Sequence, residues 1–154
     1  ASRPARSSGS DRLVPITLRE ATAEDRDPVI ALWRAAGLTR PWNDPETDYR
    51  LALESPASTV LVAEDGGDAL AGAVMVGFDG HRGWVYYLGV APGRQRQGHG
   101  RALMAAAERW LSARACPKIM LMVRHDNAAT KSFYAALGYD TQAVETLGKR
   151  LDGR

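Results

Sequence analysis

The chain has 154 residues, 45% of them hydrophobic and 25% charged, which is typical of a single globular domain. Twenty basic and 18 acidic side chains leave a formal net charge of +2 at pH 7. Residues 1–15 contain three arginines and one aspartate, so this segment carries the whole excess and the rest of the chain is neutral. A neutral body disfavours a protein that binds duplex nucleic acid, because such binding needs a broad basic face.

Membrane, secreted and metal-binding classes are also disfavoured. No apolar run approaches the ~20 residues that span a bilayer, and residues 1–15, rich in Ser, Arg and Pro, have no apolar stretch typical of a secretory signal. We expect these 15 residues to be a disordered extension or a cloning remnant, and residues 16–154 to form one domain. Cys116 is the only cysteine, and no paired histidines offer metal-ligand spacing. The sequence therefore predicts a cytoplasmic protein that holds no metal and has no membrane or nucleic-acid partner.

Hydrophobic periodicity predicts four strands and two helices in the first half of the chain. The strands alternate apolar and polar residues, the helices repeat apolar residues at three- and four-residue spacing, and Gly- or Pro-rich turns separate them. The elements are, in chain order, a strand at 16–20, a helix at 27–37, a helix that ends near residue 54, and strands at 59–63, 70–78 and 84–90. Short turns join the last three strands, which must therefore form an antiparallel meander.

The second half continues with a Gly- and Arg-rich loop after Pro92 and a long helix that ends before Pro117. An apolar strand at 118–123, a helix at 127–137 and one or two strands within 139–151 complete the chain. The full order is β-α-α-β-β-β-α-β-α-β-(β). Because the β-α-β step makes one strand pair parallel, the sequence predicts an α+β domain with a mixed, mostly antiparallel sheet flanked by helices.

The most informative stretch is 88–103, where a strand ends in a loop that leads into a helix. The unpaired N–H groups and partial positive charge of a helix N-terminus favour an anion. Gly98 and Gly100 remove Cβ atoms where a phosphate would approach the backbone closely. Three arginines add positive charge to the loop and the helix start: Arg94, Arg96 and Arg101. The spacing fits neither the Walker A nor the Rossmann pattern, so we expect a magnesium-free, pyrophosphate-bearing ligand.

Gly89 interrupts the apolar strand before this loop, which predicts a β-bulge or a close approach to the backbone at this position. A bulge would leave N–H and C=O groups of Leu88 and Val90 free to pair with an extended molecule that carries amides. Pantetheine is such a molecule.

Residues 95–100, Gln-Arg-Gln-Gly-His-Gly, resemble the Gln/Arg-x-x-Gly-x-Gly/Ala signature of the GNAT superfamily of acetyl-CoA-dependent N-acetyltransferases. Residues 127–139 resemble its second signature, Asn-x6-Tyr-x3-Gly-Phe/Tyr. The likeness covers nearly all of 16–151, and passages such as 40–45 and 79–83 are similar to the bacterial YpeA-type branch. The resemblance implies the GNAT fold, acetyl-CoA as cosubstrate and direct transfer of the acetyl group to a primary amine.

The resemblance also implies roles for single residues. The loop amides would hold the coenzyme A pyrophosphate, Asn127 would bind the pantetheine arm, and Tyr134 would be the catalytic residue that protonates the departing thiolate. The expected cofactor-binding residues are Leu88, Gly89, Val90, Gln95, Arg96, Gln97, Gly98, His99, Gly100, Arg101, Asn127 and Tyr134. In the alternative interpretation, Asn127 only caps a helix and Tyr134 only packs in the core.

The general base is left open by the sequence. Many GNAT proteins place a Glu on the strand before the phosphate loop, where this chain has Tyr86 and Tyr87. A protonated amine must lose a proton before it can attack a thioester. The candidates for this step are Asp79 or His81 through water, Glu64, or bulk solvent.

The acceptor is expected to be a small-molecule amine or a peptide amine. The expected contact residues are Trp42, Asp79, His81 and Tyr86. Acidic residues at 44, 46 and 48 would suit a cationic acceptor, although a charged helix start explains them equally well. Two alternatives stay open: a non-catalytic coenzyme A-binding sensor, because the Glu is missing, and an acetyltransferase that acts on a protein N-terminus or lysine. A homodimer is also expected, since dimers are common in the family.

Overall fold

The computed structural model describes residues 15–153, and within this range the chain forms five strands and four α-helices. Their order is β1 (Thr17–Glu20), α1 (Arg26–Ala35), α2 (Pro45–Glu54), β2 (Ser58–Glu64), β3 (Gly72–Phe78), β4 (Gly83–Val90), α3 (His99–Ser112), β5 (Ile119–Met120) and α4 (Ala128–Ala136). This order confirms the predicted α+β class. Apart from residue 15, the predicted N-terminal extension lies outside the described residues. No helix in the described part of the chain is long and apolar enough to cross a bilayer.

The sheet has the strand order β1-β2-β3-β4-β5. The first four strands pair antiparallel, which confirms the predicted meander. β5 runs parallel to β4, and the pairing covers only Gly83 with Ile119 and Trp84 with Met120. Beyond Trp84, β4 therefore continues for six residues with no ladder to β5. The two strands separate at this point.

The core lies on both faces of the sheet because side chains alternate along each strand. In β2, Val60 and Val62 pack with α1 and α2, whereas Leu61 and Ala63 pack with α3. Each helix turns a stripe of apolar residues towards the sheet. The largest buried side chains of these stripes are Val29, Trp33, Tyr49, Leu103 and Met104.

The structure corrects the two strand predictions at the C-terminal end. The strand predicted at 118–123 is regular only over Ile119–Met120, and 139–151 contains no strand. The apolar residues of this last segment stay outside the core, since Leu147 is 91% and Leu151 is 93% exposed. A further strand needs a regular edge to pair with, and the two residues of β5 offer almost none.

Candidate active site

A cleft of about 770 Å³ opens where β4 and β5 separate. Side chains from four places surround it: β4 and the chain after β5, the start and inner face of α4, the region from the end of α1 to α2, and single residues of β2 and β3. The lining residues with polar or ring groups are Arg40, Asn43, Asp48, Ser58, Tyr86, Tyr87, Arg124, Asn127, Thr130 and Tyr134. The cleft is thus a concave space next to an unpaired strand edge, as ligand sites commonly are.

A β-bulge shapes the β4 side of the cleft. The pairing passes from Ala73 opposite Gly89 to Met75 opposite Tyr86, so β4 contains one extra residue at this point. Tyr87 lies inside the irregular stretch and has a φ of +55°, which non-glycine residues seldom adopt. The bulge predicted at Gly89 is therefore centred two residues earlier, at Tyr87.

Gly89 itself is needed for packing. It is buried and pairs regularly with β3. A Cβ atom on Gly89 would lie 2.9 Å from Leu38 Cδ1 and 3.2 Å from Leu32 Cδ2, closer than packed atoms tolerate. The missing side chain lets α1 and the residues after it pack against the strand. Of the neighbouring residues, Leu88 lines the cleft and Val90 pairs with Gly72.

The N-terminus of α3 has the features of an anion site. Gly98 is its N-cap, with a φ of +83° that glycine adopts without strain. Among the described residues, no side chain caps this helix end, and its first turn holds no acidic residue. Its first N–H groups therefore remain available to an anion. Four exposed polar residues precede or follow these N–H groups in the chain: Gln95, Arg96, Gln97 and Arg101.

Gly100 also has a packing role, and its predicted approach to a phosphate stays a prediction. A Cβ atom there would lie 3.2 Å from Phe133 Cζ and 3.8 Å from Val90 Cγ2. The glycine therefore makes room for a ring of α4, and this contact brings the first turn of α3 against the helix that carries Tyr134.

Arg94 does not add to the free positive charge of the loop, which corrects the prediction. Its guanidinium forms an ion pair with Asp65, whose side chain is only 9% exposed. The hydrogen bond from Arg94 is the main reason that the pKa of Asp65 lies below its ordinary value. His99 is buried beside this pair, and its Nε2 lies 3.8 Å from Asp65 Oδ2. The Nε2 atom has no hydrogen-bond partner among the described residues. Arg96 and Arg101 carry the exposed charge.

Asn127 and Tyr134 both line the cleft, two turns apart on α4. Asn127 is the N-cap, and its Oδ1 accepts a 3.1 Å hydrogen bond from the Thr130 N–H. Tyr134 is 9% exposed and packs edge-to-face with Phe133 and Tyr139. Its hydroxyl forms no hydrogen bond within residues 15–153, and burial raises the pKa of this phenol to about 12. Tyr134 therefore remains a hydrogen-bond donor at any ordinary pH.

The predicted acceptor residues are not all brought together. Tyr86 lines the cleft, whereas Asp79 and His81 lie in the exposed β3–β4 turn and outside the lining. Asp79 Oδ1 accepts the N–H groups of His81 and Arg82, each at 2.8 Å, and these bonds hold the pKa of Asp79 below its ordinary value. The carboxylate thus stabilises the turn.

The other two candidates also lie outside the lining. Glu64 forms a 2.7 Å ion pair with Arg19 on β1, away from the cleft. Trp42 is half exposed, and the guanidinium of Arg124, a lining residue, lies 5.8 Å from the centroid of its ring. Trp42 is thus placed at the mouth of the cleft.

Sequence reasoning gave Asp48 too little weight. Its Oδ2 accepts a 2.7 Å hydrogen bond from the Tyr87 hydroxyl, and the Tyr87 ring stacks on fully buried Trp33 with 4.3 Å between centroids. Burial and the hydrogen bond to Asp48 raise the pKa of Tyr87. Asp48 precedes buried Ala52 by one helical turn, and this spacing is the signal that could have placed it on the inner face of α2.

Comparison with known proteins adds the family context. The sequence profile of the Acetyltransferase (GNAT) family matches residues 21–139. A protein named acetyltransferase from Pectobacterium atrosepticum is 49% identical over 128 residues, which cover 83% of this chain and 90% of that protein. One of the same name from Yersinia enterocolitica is 49% identical over 127 residues, covering 82% and 89%.

Solved structures share the fold. The structure of AAC(6')-Iy with the bisubstrate analogue CoA-S-monomethyl-acetylneamine has a TM-score of 0.76 at 17% identity, covering 88% of this chain and 99% of that one. The same aminoglycoside N-acetyltransferase in complex with CoA gives 0.76 at 15% identity, covering 89% and 95%. At these identities the likeness concerns the fold.

Proposed function

The chain belongs to the GNAT acetyltransferase family, and from this premise we propose that it transfers the acetyl group of acetyl-CoA directly to a primary amine. The observation that carries the proposal is the cleft where β4 and β5 separate, lined by Tyr134 and Asn127. An extended amide-bearing arm can pair with an open strand edge, and phosphates can bind the uncapped start of α3.

The residues present fit the pyrophosphate and the pantetheine arm of coenzyme A. The N–H groups at the start of α3, with Arg96 and Arg101 beside them, would hold the pyrophosphate. The free edge of β4 at Leu88 and the side-chain amide of Asn127 would bind the pantetheine arm. Gly100 contributes indirectly, because it lets α3 and α4 approach each other.

Tyr134 would act on the sulfur atom of the substrate. Acetyl-CoA supplies an activated acetyl thioester, and negative charge develops on sulfur as the acyl bond breaks. Burial raises the pKa of Tyr134 to about 12. The phenol therefore stays protonated until a thiolate forms beside it. We assign Tyr134 the donor role expected from the sequence: it donates a hydrogen bond to the developing thiolate and passes its proton to the sulfur as coenzyme A leaves.

The amine must lose a proton, and the cleft contains one residue suited to accept it. Of the described residues that line the cleft, Asp48 is the one carboxylate. Tyr87 fixes one of its oxygens, which holds the side chain in place. Asp48 thus replaces the Glu that many GNAT proteins carry on the strand before the phosphate loop.

The test compares wild type with Tyr134→Phe in an assay for thiol release from acetyl-CoA over a panel of amines. We expect the variant to bind acetyl-CoA as wild type does and to lower kcat by about 10- to 100-fold, because one donor to a developing charge is lost. Tyr139→Phe is the matched control, since its hydroxyl bonds to Glu108 instead. Equal kcat in wild type and Tyr134→Phe would remove Tyr134 from the reaction, and tight binding without transfer to any amine would favour a sensor.

A further inference from the structure

We propose that the acceptor is an amine that also carries an oxyanion, with its ammonium end at Asp48 and its carboxylate or phosphate at Arg40. The inference rests on the proposed function, because it names the acceptor class of that same cleft. It comes from the charges of the described lining residues, which are one carboxylate and two guanidinium groups: Asp48, Arg40 and Arg124.

Asp48 is held ready for an ammonium group. The hydroxyl of Tyr87 donates to its Oδ2, and Tyr87 is in turn fixed by stacking on buried Trp33. Its Oδ1 accepts no hydrogen bond from any described residue. Asp48 therefore presents one fixed oxygen and one open oxygen to the cleft, the arrangement that a charge-assisted hydrogen bond from an amine requires.

Arg40 is held ready for an anion. Its Nη1 donates to the carbonyls of Gly37 and Thr39, at 2.8 and 2.9 Å, so the guanidinium is oriented by the backbone. The side chain is half-buried and lines the cleft, and no carboxylate of residues 15–153 forms an ion pair with it. A guanidinium with fixed orientation and remaining N–H groups is suited to a carboxylate or phosphate.

Two other guanidinium groups disfavour a polycationic acceptor. Arg124 lines the cleft and stacks over Trp42 at the mouth. Arg150 also lies close enough to Asp48 to interact with its charge. The pKa of Arg150 is raised mainly by the hydrogen bond to Asp152 and to a smaller extent by the charge of Asp48. A polyamine or an aminoglycoside could pair one ammonium group with Asp48, but its other ammonium groups would be repelled by the guanidinium groups. An amine that also carries an oxyanion complements both the negative and the positive charges of the cleft.

The experiment measures kcat/KM for matched pairs of amines that differ in the anionic group. The pairs are amino acids against their carboxamides, and O-phosphoethanolamine against ethanolamine. A series from glycine to 6-aminohexanoate varies the spacing between the two charges, and spermidine and kanamycin are the polycations. We expect the anionic member of at least one pair to exceed its partner by about 30-fold, the effect of one charged partner in a cleft. The phosphate and carboxylate arms distinguish the two kinds of oxyanion.

Variants assign the two ends of the acceptor. Arg40→Gln should reduce the preference for the anionic member of a pair to within about threefold, because the charged partner of the oxyanion is lost. Asp48→Asn should lower kcat/KM for both members by the same factor. Arg26→Gln, at an exposed arginine outside the cleft, is the matched control.

Each outcome decides the inference. Loss of the preference in Arg40→Gln but not in Arg26→Gln supports it. Equal or faster acetylation of carboxamides, spermidine or kanamycin overturns the inference and leaves the acetyltransferase proposal intact. Binding of acetyl-CoA with no transfer to any amine of the panel overturns both.

Discussion

Replacement of Gly98 by alanine tests whether the start of α3 is the phosphate site. Gly98 has a φ of +83°, and no atom lies within 4 Å of the position that its Cβ would take. The cost of Gly98→Ala is therefore one of backbone conformation: about 1–2 kcal/mol for a left-handed alanine, less about 0.4–1 kcal/mol from the stiffer unfolded chain. The net loss in the free energy of unfolding should be about 1 kcal/mol.

Gly93 provides a matched control in the same loop. Its φ is +85°, and its Cβ position is also free of contacts. Gly93→Ala should therefore cost the same in stability, but this residue lies five positions before the helix N-cap. In Gly98→Ala the added methyl group lies at the helix start, where a phosphate would approach the backbone, and the loss of one charge-assisted hydrogen bond there costs about 1.5–3 kcal/mol of binding.

The assay is isothermal titration with coenzyme A, with urea unfolding of each variant beside it. Gly98→Ala should raise the Kd for coenzyme A by about 10- to 100-fold, and Gly93→Ala by less than about threefold. An equal loss of affinity in both variants, or none in Gly98→Ala, would refute the assignment of the phosphates to this helix start.

Three further predictions concern stability and the acceptor side. The hydrogen bond from Arg19 is the main reason that the pKa of Asp25 is lowered to about 2. The ionised Asp25 therefore stabilises the fold at any pH above its unfolded pKa near 4, and this contribution is lost as the pH falls towards 2. Asp25→Asn should then cost about 1–2 kcal/mol at pH 7 and nothing near pH 2, measured by urea unfolding at each pH. Gly89→Ala should lower the free energy of unfolding by about 1–3 kcal/mol through overpacking, and an unchanged Tm would contradict the close contacts with α1 and the residues after it. Tyr87→Phe removes the hydrogen bond to Asp48 but keeps the ring stacking on Trp33. The variant should therefore raise the KM for the acceptor about fivefold and leave the Kd for coenzyme A unchanged. A change in the Kd for coenzyme A instead would show that the hydrogen bond supports coenzyme A binding.

The sequence predicts the elements where local periodicity is strong. Val60 to Ala63 alternate between the two faces of the sheet, and the apolar stripe of α1 has helical spacing, so both elements are visible without tertiary information. The segment 139–151 contains apolar residues but no partner edge, and the absence of a regular partner strand cannot be read locally. Hydrophobic content alone therefore overpredicts strands at this end of the chain.

The site is predicted only in part, because several of its contacts join distant residues. The helix start at Gly98 is visible in the loop sequence. The neutralisation of Arg94 is not, because Asp65 lies 29 positions away. The hydrogen bond from Tyr87 to Asp48 joins residues 39 positions apart. It also depends on the β-bulge at Tyr87, and the glycine at position 89 did not predict the exact position of that bulge. Charge counted along one loop thus overstates the free charge in space.

The fate of an isotopically labelled acetyl group tests the central claim most directly. The protein is mixed with acetyl-CoA labelled in the acetyl carbon and with the amine panel, and both the amines and the intact protein are followed by mass spectrometry over a single turnover. Direct transfer predicts label on the amine nitrogen of an acceptor, at a rate lowered by Tyr134→Phe, and no acetylated protein at any time. Label that appears first on a side chain of the protein, or acetyl-CoA that binds but never yields a labelled amine, would contradict it.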